Sequence, residues 1–173
     1  MCHNVYLVGF MGTGKSEVGR RVADSLGRTF IEMDAEIERE ERRPIADIFA
    51  VEGEPYFRKR EGELLQKIAR QNGVVVSCGG GVVIDPRNLD IMHSSGICVC
   101  LKADPEAILD RVRGTTHRPL LQVPEPLKKI RALLKEREPF YSKADTCIDT
   151  TRKTLEEVVA AVTSYIQEKE RTL

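Results

Sequence analysis

Gly9-Phe10-Met11-Gly12-Thr13-Gly14-Lys15-Ser16 fits the pattern G-x-x-x-x-G-K-S. It follows directly on Asn4-Val5-Tyr6-Leu7-Val8, whose β-branched and aromatic residues read as a short buried strand, and it leads into helix-spaced apolar positions from Glu17 to Leu26. Strand, glycine loop and helix in that order place a ring of inward-turned N–H groups at the positive end of a helix, a ready site for phosphate oxygens. Lys15 can then reach the β- and γ-phosphates and Ser16 can ligate Mg²⁺. The plainer alternative is a glycine-rich turn with Lys15 merely solvated. Agreement between pattern and flanks favours the nucleotide.

Downstream, Gly27 is a helix stop, and Thr29 to Met33 reads as a second strand ending at Asp34. That places Glu32 and Asp34 at the carboxyl edge of a parallel sheet, beside Lys15, where ligands collect. Ala35 to Arg43 reads as an exposed charged helix, Pro44 opens a short one over Ile45–Phe49, and a longer helix spans about Glu54 to Arg70. Its first turns carry Phe57-Arg58-Lys59-Arg60-Glu61, which spacing alone reads as a solvated basic face. Val74 to Cys78 has the continuous apolar character of a central strand and stops at Gly79-Gly80-Gly81. The triplet makes a tight turn or exposes backbone N–H groups to a ligand.

Asp85-Pro86 and Asp104-Pro105 each read as an N-cap followed by proline, flanking a fourth strand at Ile97–Leu101. Thr115 to Pro126 holds three prolines and little periodicity, either a surface loop or a lid over phosphates. A helix from Pro126 to Ala144, a fifth strand at Thr146–Asp149 and a last helix capped by Thr154 and running to about Lys169 complete the chain. Strands alternate with helices, so a parallel sheet covered on both faces is expected.

At 173 residues, without linker or repeat, the chain is expected to form one domain. Lys+Arg and Asp+Glu both number 27, so no basic excess points to nucleic acid or an anionic membrane. The apolar runs are far too short for a membrane span and no signal-like segment opens the sequence, so a cytoplasmic protein is expected. The five cysteines are expected to be reduced and packed in or near the core, with Cys98 and Cys100 on one face of a strand. No long apolar seam is left over, and a monomer is expected.

Taken together these motifs resemble the shikimate kinases, small P-loop enzymes of the nucleoside-monophosphate-kinase-like group. The resemblance rests on Gly9–Ser16, Asp34, Phe57-Arg58 with Glu61, Gly79-Gly80-Gly81, Arg118-Pro119-Leu120-Leu121, and Arg137 with Tyr141, in the family's order and spacing. It implies a three-layer α/β/α fold with a five-stranded parallel sheet in the order 2-3-1-4-5, an acceptor-binding segment at about 33–61 and a lid at about 113–126. It also implies ATP-dependent phosphorylation of the 3-hydroxyl of shikimate, in the route to chorismate and the aromatic amino acids. By the same resemblance Gly12, Thr13, Gly14, Lys15, Ser16 and Glu17 hold the nucleotide, Arg111 stacks on adenine opposite the segment containing Arg152, and Arg118 reaches in from the lid. Arg58, Glu61, Arg137 and the glycine triplet hold shikimate, and Asp34 accepts the proton. Lys15 and Arg118 neutralise the transferred phosphoryl group, while Ser16 and, through water, Glu32 hold Mg²⁺.

Two positions depart from the family pattern. Glu32-Met33-Asp34 replaces the usual Asp-x-Asp, and Leu155 stands where the adenine loop often has proline. A related gluconate or nucleotide kinase would share loop and lid but lack the Arg58, triplet and Arg137 set. A nucleotide-binding regulatory module is the alternative for which Glu32 is the hint.

Overall fold

A computed structural model describes residues 3–113 and 123–172. Five strands, β1 (Asn4–Val8), β2 (Thr29–Glu32), β3 (Val74–Ser77), β4 (Gly96–Lys102) and β5 (Thr146–Asp149), form one parallel sheet in the order β2-β3-β1-β4-β5. Among the described residues eight α-helices connect or cover them: α1 (Lys15–Leu26), α2 (Met33–Glu41), α3 (Ile45–Glu52), α4 (Glu54–Ile68), α5 (Pro86–Ser95), α6 (Pro105–Val112), α7 (Pro126–Tyr141) and α8 (Leu155–Thr172). Among the described residues no helix is long and apolar enough to cross a membrane.

Alternation along the strands sends side chains to two separate cores. Val5, Leu7, Val75, Val99 and Leu101 pack against Val18 and Val22 of α1 and Val158, Val162 and Ile166 of α8. Tyr6, Val8, Val76, Cys98 and Cys100 face α2 to α7. The close approach of α1 to the sheet depends on Gly19, where a Cβ would stand 2.7 Å from the Phe30 ring. Burying these side chains contributes about 1.5–3 kcal/mol for each large aliphatic or aromatic residue.

Local signals end the helices much as the sequence implies. Gly27 closes α1 at φ 64°, with its N–H on the Ala23 and Asp24 carbonyls. Thr154 and Glu157 cap α8 reciprocally, Thr154 N donating to Glu157 Oε2 (2.7 Å) and Glu157 N to Thr154 Oγ1 (3.2 Å). Asp85 accepts from Arg87 N and caps α5, but Asp104 makes no such bond; instead its own N–H donates to Thr151 Oγ1 at 3.0 Å.

Three expectations need correction. The second strand ends at Glu32, so Asp34 lies in the first turn of α2 and not on the strand; fully buried Met33 starts the helix because the core takes its side chain. Phe57 to Glu61 is not a solvated face, since Phe57 and Glu61 are buried and only Lys59 is well exposed. The helix of Arg137 stops at Tyr141 and carries Pro139 within it.

Candidate active site

The nucleotide loop runs from the carboxyl end of β1 into α1. Gly9, Gly12 and Gly14 all have positive φ, and at Gly9 (φ 137°) a Cβ would also collide with the Leu101 carbonyl oxygen, so no other residue fits there. Thr13 is buried and its hydroxyl donates to the Phe10 carbonyl at 2.8 Å, pinning the turn from within. Lys15 folds over the loop, Nζ donating to the carbonyls of Gly9 (2.9 Å) and Phe10 (3.0 Å). Glu17 turns its carboxylate to Arg21 at 3.1 Å, so what it offers the loop is its backbone N–H.

Ser16 is exposed at the mouth of the loop, and its Oγ is 3.4 Å from that of buried Ser77, the last residue of β3. Ser77 in turn pairs in register with Glu32. Two hydroxyls and a carboxylate, all hard oxygen donors on adjacent strand and helix ends, suit Mg²⁺. No sequence motif marks Ser77. Its signal was a polar residue ending Val74-Val75-Val76 just before the glycines.

Opposite the loop, side chains from three helices converge on Gly79-Gly80-Gly81. None of these glycines has positive φ; Gly79 and Gly81 leave room for site side chains. A Cβ on Gly79 would overlap Glu61 Oε1 and stand 3.1 Å from Asp34 Oδ1, and one on Gly81 would lie 2.5 Å from the Arg58 guanidinium. A Cβ on Gly80 would sit 3.4 Å from the Gly9 carbonyl and 3.6 Å from Arg137 Nη1, so Gly80 separates the nucleotide loop from Arg137. The Tyr141 hydroxyl donates to the Gly80 carbonyl at 2.6 Å and fixes it.

Within this pocket Arg58 spans two carboxylates, Glu54 at 2.9 Å and the fully buried Glu61. Burial pushes the Glu61 carboxyl up to about 7 against the pull of Arg58. Burial also raises Asp34, opposed by Lys15 and Arg58 and reinforced by Glu32 and Glu38. Asp34 Oδ1, Glu61 Oε1 and Arg137 Nε are buried and have no hydrogen-bond partner among the described residues. Arg137 is 5% exposed and lies over the Phe10 ring at 5.6 Å. Two unsatisfied acceptors and an unsatisfied donor facing one small space describe a pocket for a ligand that carries both an anionic group and hydroxyls.

Outside the pocket, Arg60 bonds Glu40 (2.8 Å), Glu41 (2.6 Å) and Glu63, and fastens α4 to α2. The spacing between Asp34 and Arg58 therefore rests on that lattice. Arg111 donates to the Gly12 carbonyl (3.3 Å), Thr150 Oγ1 (2.9 Å) and the Thr150 carbonyl (2.7 Å), a planar cation held between the loop and the segment after β5. Arg152 is exposed on that segment, and Leu155 packs as the first residue of α8 against the core shared with α1. Arg118, and residues 114–122 of the expected lid at about 113–126, lie outside the described residues.

A strand-loop-helix phosphate cradle at the edge of a parallel 2-3-1-4-5 sheet, faced by an acidic and basic acceptor pocket, defines a P-loop small-molecule phosphotransferase. The family whose model is described as Shikimate kinase matches residues 11–167. A curated shikimate kinase of Caldanaerobacter subterraneus subsp. tengcongensis is 46% identical, over 97% of this chain and 99% of the relative. One from Pelotomaculum thermopropionicum is 42% identical over 95% and 96%. Among solved structures, the shikimate kinase of Acinetobacter baumannii in complex with shikimate superposes with a TM-score of 0.93 at 38% identity, covering 98% of this chain and 95% of that one. The chain belongs to the shikimate kinase family.

Proposed function

We propose that this chain transfers the γ-phosphoryl group of ATP to the 3-hydroxyl of shikimate, giving shikimate 3-phosphate and ADP, as a single-domain monomer in the cytoplasm. The observation that carries the reading is the convergence of Asp34, Arg58, Glu61 and Arg137 on the glycine triplet beside the nucleotide loop, in a member of this family.

Shikimate has one carboxylate and three hydroxyls. Arg58 and Arg137 supply planar charged donors for the carboxylate. Glu61 holds Arg58 in place, and with Asp34 it offers acceptors to the ring hydroxyls. Asp34 accepts the proton of the attacking hydroxyl, and its raised affinity for a proton suits that task. Lys15 leaves the Gly9 and Phe10 carbonyls for the phosphates and, with Arg118 from the lid, balances charge on the group in transfer. Arg111 offers a flat face to adenine, with Arg152 across from it. Ser16 would hold Mg²⁺, with Glu32 and Ser77 acting through water, and the ion when bound neutralises phosphate charge.

Intact Lys15, Ser16 and Asp34 argue against a lapsed, purely regulatory module. Gluconate carries a carboxylate and a nucleoside monophosphate a phosphate, both of which arginines could also hold, so it is membership of this family that favours shikimate over them. The test is ADP release measured with shikimate, gluconate and nucleoside monophosphates in parallel; turnover with shikimate alone is expected, and turnover with another acceptor in its place refutes the assignment.

A further inference from the structure

The mechanism leaves the cysteines unused, yet three of them gather on one face of the sheet. Cys98 and Cys100 point from β4 into the core beneath α2 to α7, and Cys147 lies on β5 in direct register with Cys100. Cys147 is exposed and Cys100 fully buried, so the paired positions join a solvent-facing thiol to an enclosed one.

We propose that Cys100 and Cys147 form a redox-active dithiol, a site at which a small-molecule disulfide is reduced while the two protein sulfurs join. Residues directly opposite on neighbouring strands are spaced by about 4.8 Å, inside the Cα range of about 4.4–6.8 Å that a disulfide accepts. β5 has four residues and forms the edge of the sheet, so it can adjust to the bond at small cost. Access decides the order of events. Cys147 is reachable from solvent, whereas burial pushes the Cys100 thiol up and keeps it protonated.

In the first step the Cys147 thiolate attacks one sulfur of the small disulfide, whose S–S bond breaks to release one thiolate. In the second, the Cys100 sulfur attacks the Cys147 sulfur and expels the second small-molecule thiolate, which takes up the Cys100 proton as it leaves. Two protein thiols are oxidised and one disulfide is reduced to two thiols, so atoms and electrons balance.

The dithiol also touches the acceptor pocket. Cys147 Sγ is 3.8 Å from the carbonyl of Tyr141, the residue whose hydroxyl holds Gly80, and Arg137 lies one turn earlier on the same helix. Drawing Cys147 toward Cys100 disturbs that contact, so oxidation acts as a brake on the acceptor side of the reaction.

The probe is glutathione disulfide, applied to the full chain in native buffer, followed by alkylation, digestion without reductant and mass spectrometry. The expected product joins the Cys100 and Cys147 peptides and retains no glutathione. Cys147→Ser, a substitution at an exposed position, should prevent the link, and Cys100→Ala should trap glutathione on Cys147. The cross-linked protein should show a several-fold higher shikimate KM with little change in the ATP KM, both restored by dithiothreitol. Full alkylation of both cysteines after treatment, a link from Cys147 to Cys98 or Cys2, or glutathione that stays on Cys147 of the parent protein would each overturn the dithiol. An unchanged shikimate KM in the cross-linked protein would overturn the brake.

Discussion

The nucleotide loop and the acceptor pocket face each other across Gly80, but they are built in opposite ways. The loop is one contiguous stretch whose ligands are backbone N–H groups, shaped by Gly9, Gly12 and Gly14 at positive φ. The pocket is assembled from side chains on α2, α4 and α7, and its backbone contributes mainly by getting out of the way. A contiguous device fails when one residue is wrong and otherwise tolerates change around it. A dispersed device depends on the relative placement of helices, so it can be detuned from a distance.

The sharpest way to break the contrast is at Lys15, the loop's single charged side chain. Lys15→Met is expected to lower turnover by about 10²-fold or more with the fold unchanged, because on the proposed function the residue serves phosphate and it is not part of the core. Near-normal ADP production by a folded Lys15→Met protein would place the phosphate charge elsewhere.

On the other side, Glu61→Ala leaves Arg58 without its buried partner and should destabilise the protein by about 3 kcal/mol. Its shikimate KM should rise by roughly tenfold, the factor that about 1.4 kcal/mol represents, while its ATP KM stays near the parent value. Equal changes in both constants would mean that the two halves are not separate devices. The same residue sets a pH signature. The fold raises the Glu61 carboxyl from 4.5 to about 7, so it binds that proton more tightly than the unfolded chain does. Its contribution to stability is therefore fully present below about pH 4.5 and is lost as the pH rises through about 7. Denaturant titrations across that window should show the slope in the parent and lose it in Glu61→Gln.

Arg111→Ala should raise the ATP KM a few-fold and spare shikimate, since a stacked guanidinium contributes about 1 kcal/mol. Magnesium titrations should give the smallest effects. Glu32→Ala and Ser77→Ala are each expected to raise the Mg²⁺ needed for half-maximal turnover by less than about tenfold, because they act through water, and Glu32→Asp should change it only modestly. Superimposable curves would remove both residues from the site.

The same division explains what could be read in advance. The loop was legible because its function is local: pattern, strand and helix lie within 23 residues, Asn4 to Leu26. Thr146–Asp149 was legible as a strand for the same reason. The element that carries Asp34 is not legible in the sequence, because Phe30 and Ile31 carry strand propensity forward while the switch to helix is made by Met33 finding the core. The basic cluster looked solvated because Lys59 truly is; no spacing rule says that Glu61, two residues on, is enclosed by Gly79, Arg58 and Arg137. Only the resemblance to a family marked those residues, and only the packing explains why the glycines accompany them.

Gly80 has one more consequence, best put as thermodynamic linkage. Its carbonyl is tied to Tyr141 and its Cα side is bounded by the Gly9 carbonyl and Arg137, so on the proposed function the partition between the two substrates would be one peptide thick. Such a wall transmits displacement in both directions, and the free energy by which nucleotide alters shikimate affinity must equal that by which shikimate alters nucleotide affinity. Calorimetric titration around the four-state cycle measures that coupling. In Gly80→Ala, whose added methyl would meet the Gly9 carbonyl at 3.4 Å and Arg137 Nη1 at 3.6 Å, both ordinary contact distances, the wall keeps its place and the coupling should be retained; its loss would overturn this role for the peptide.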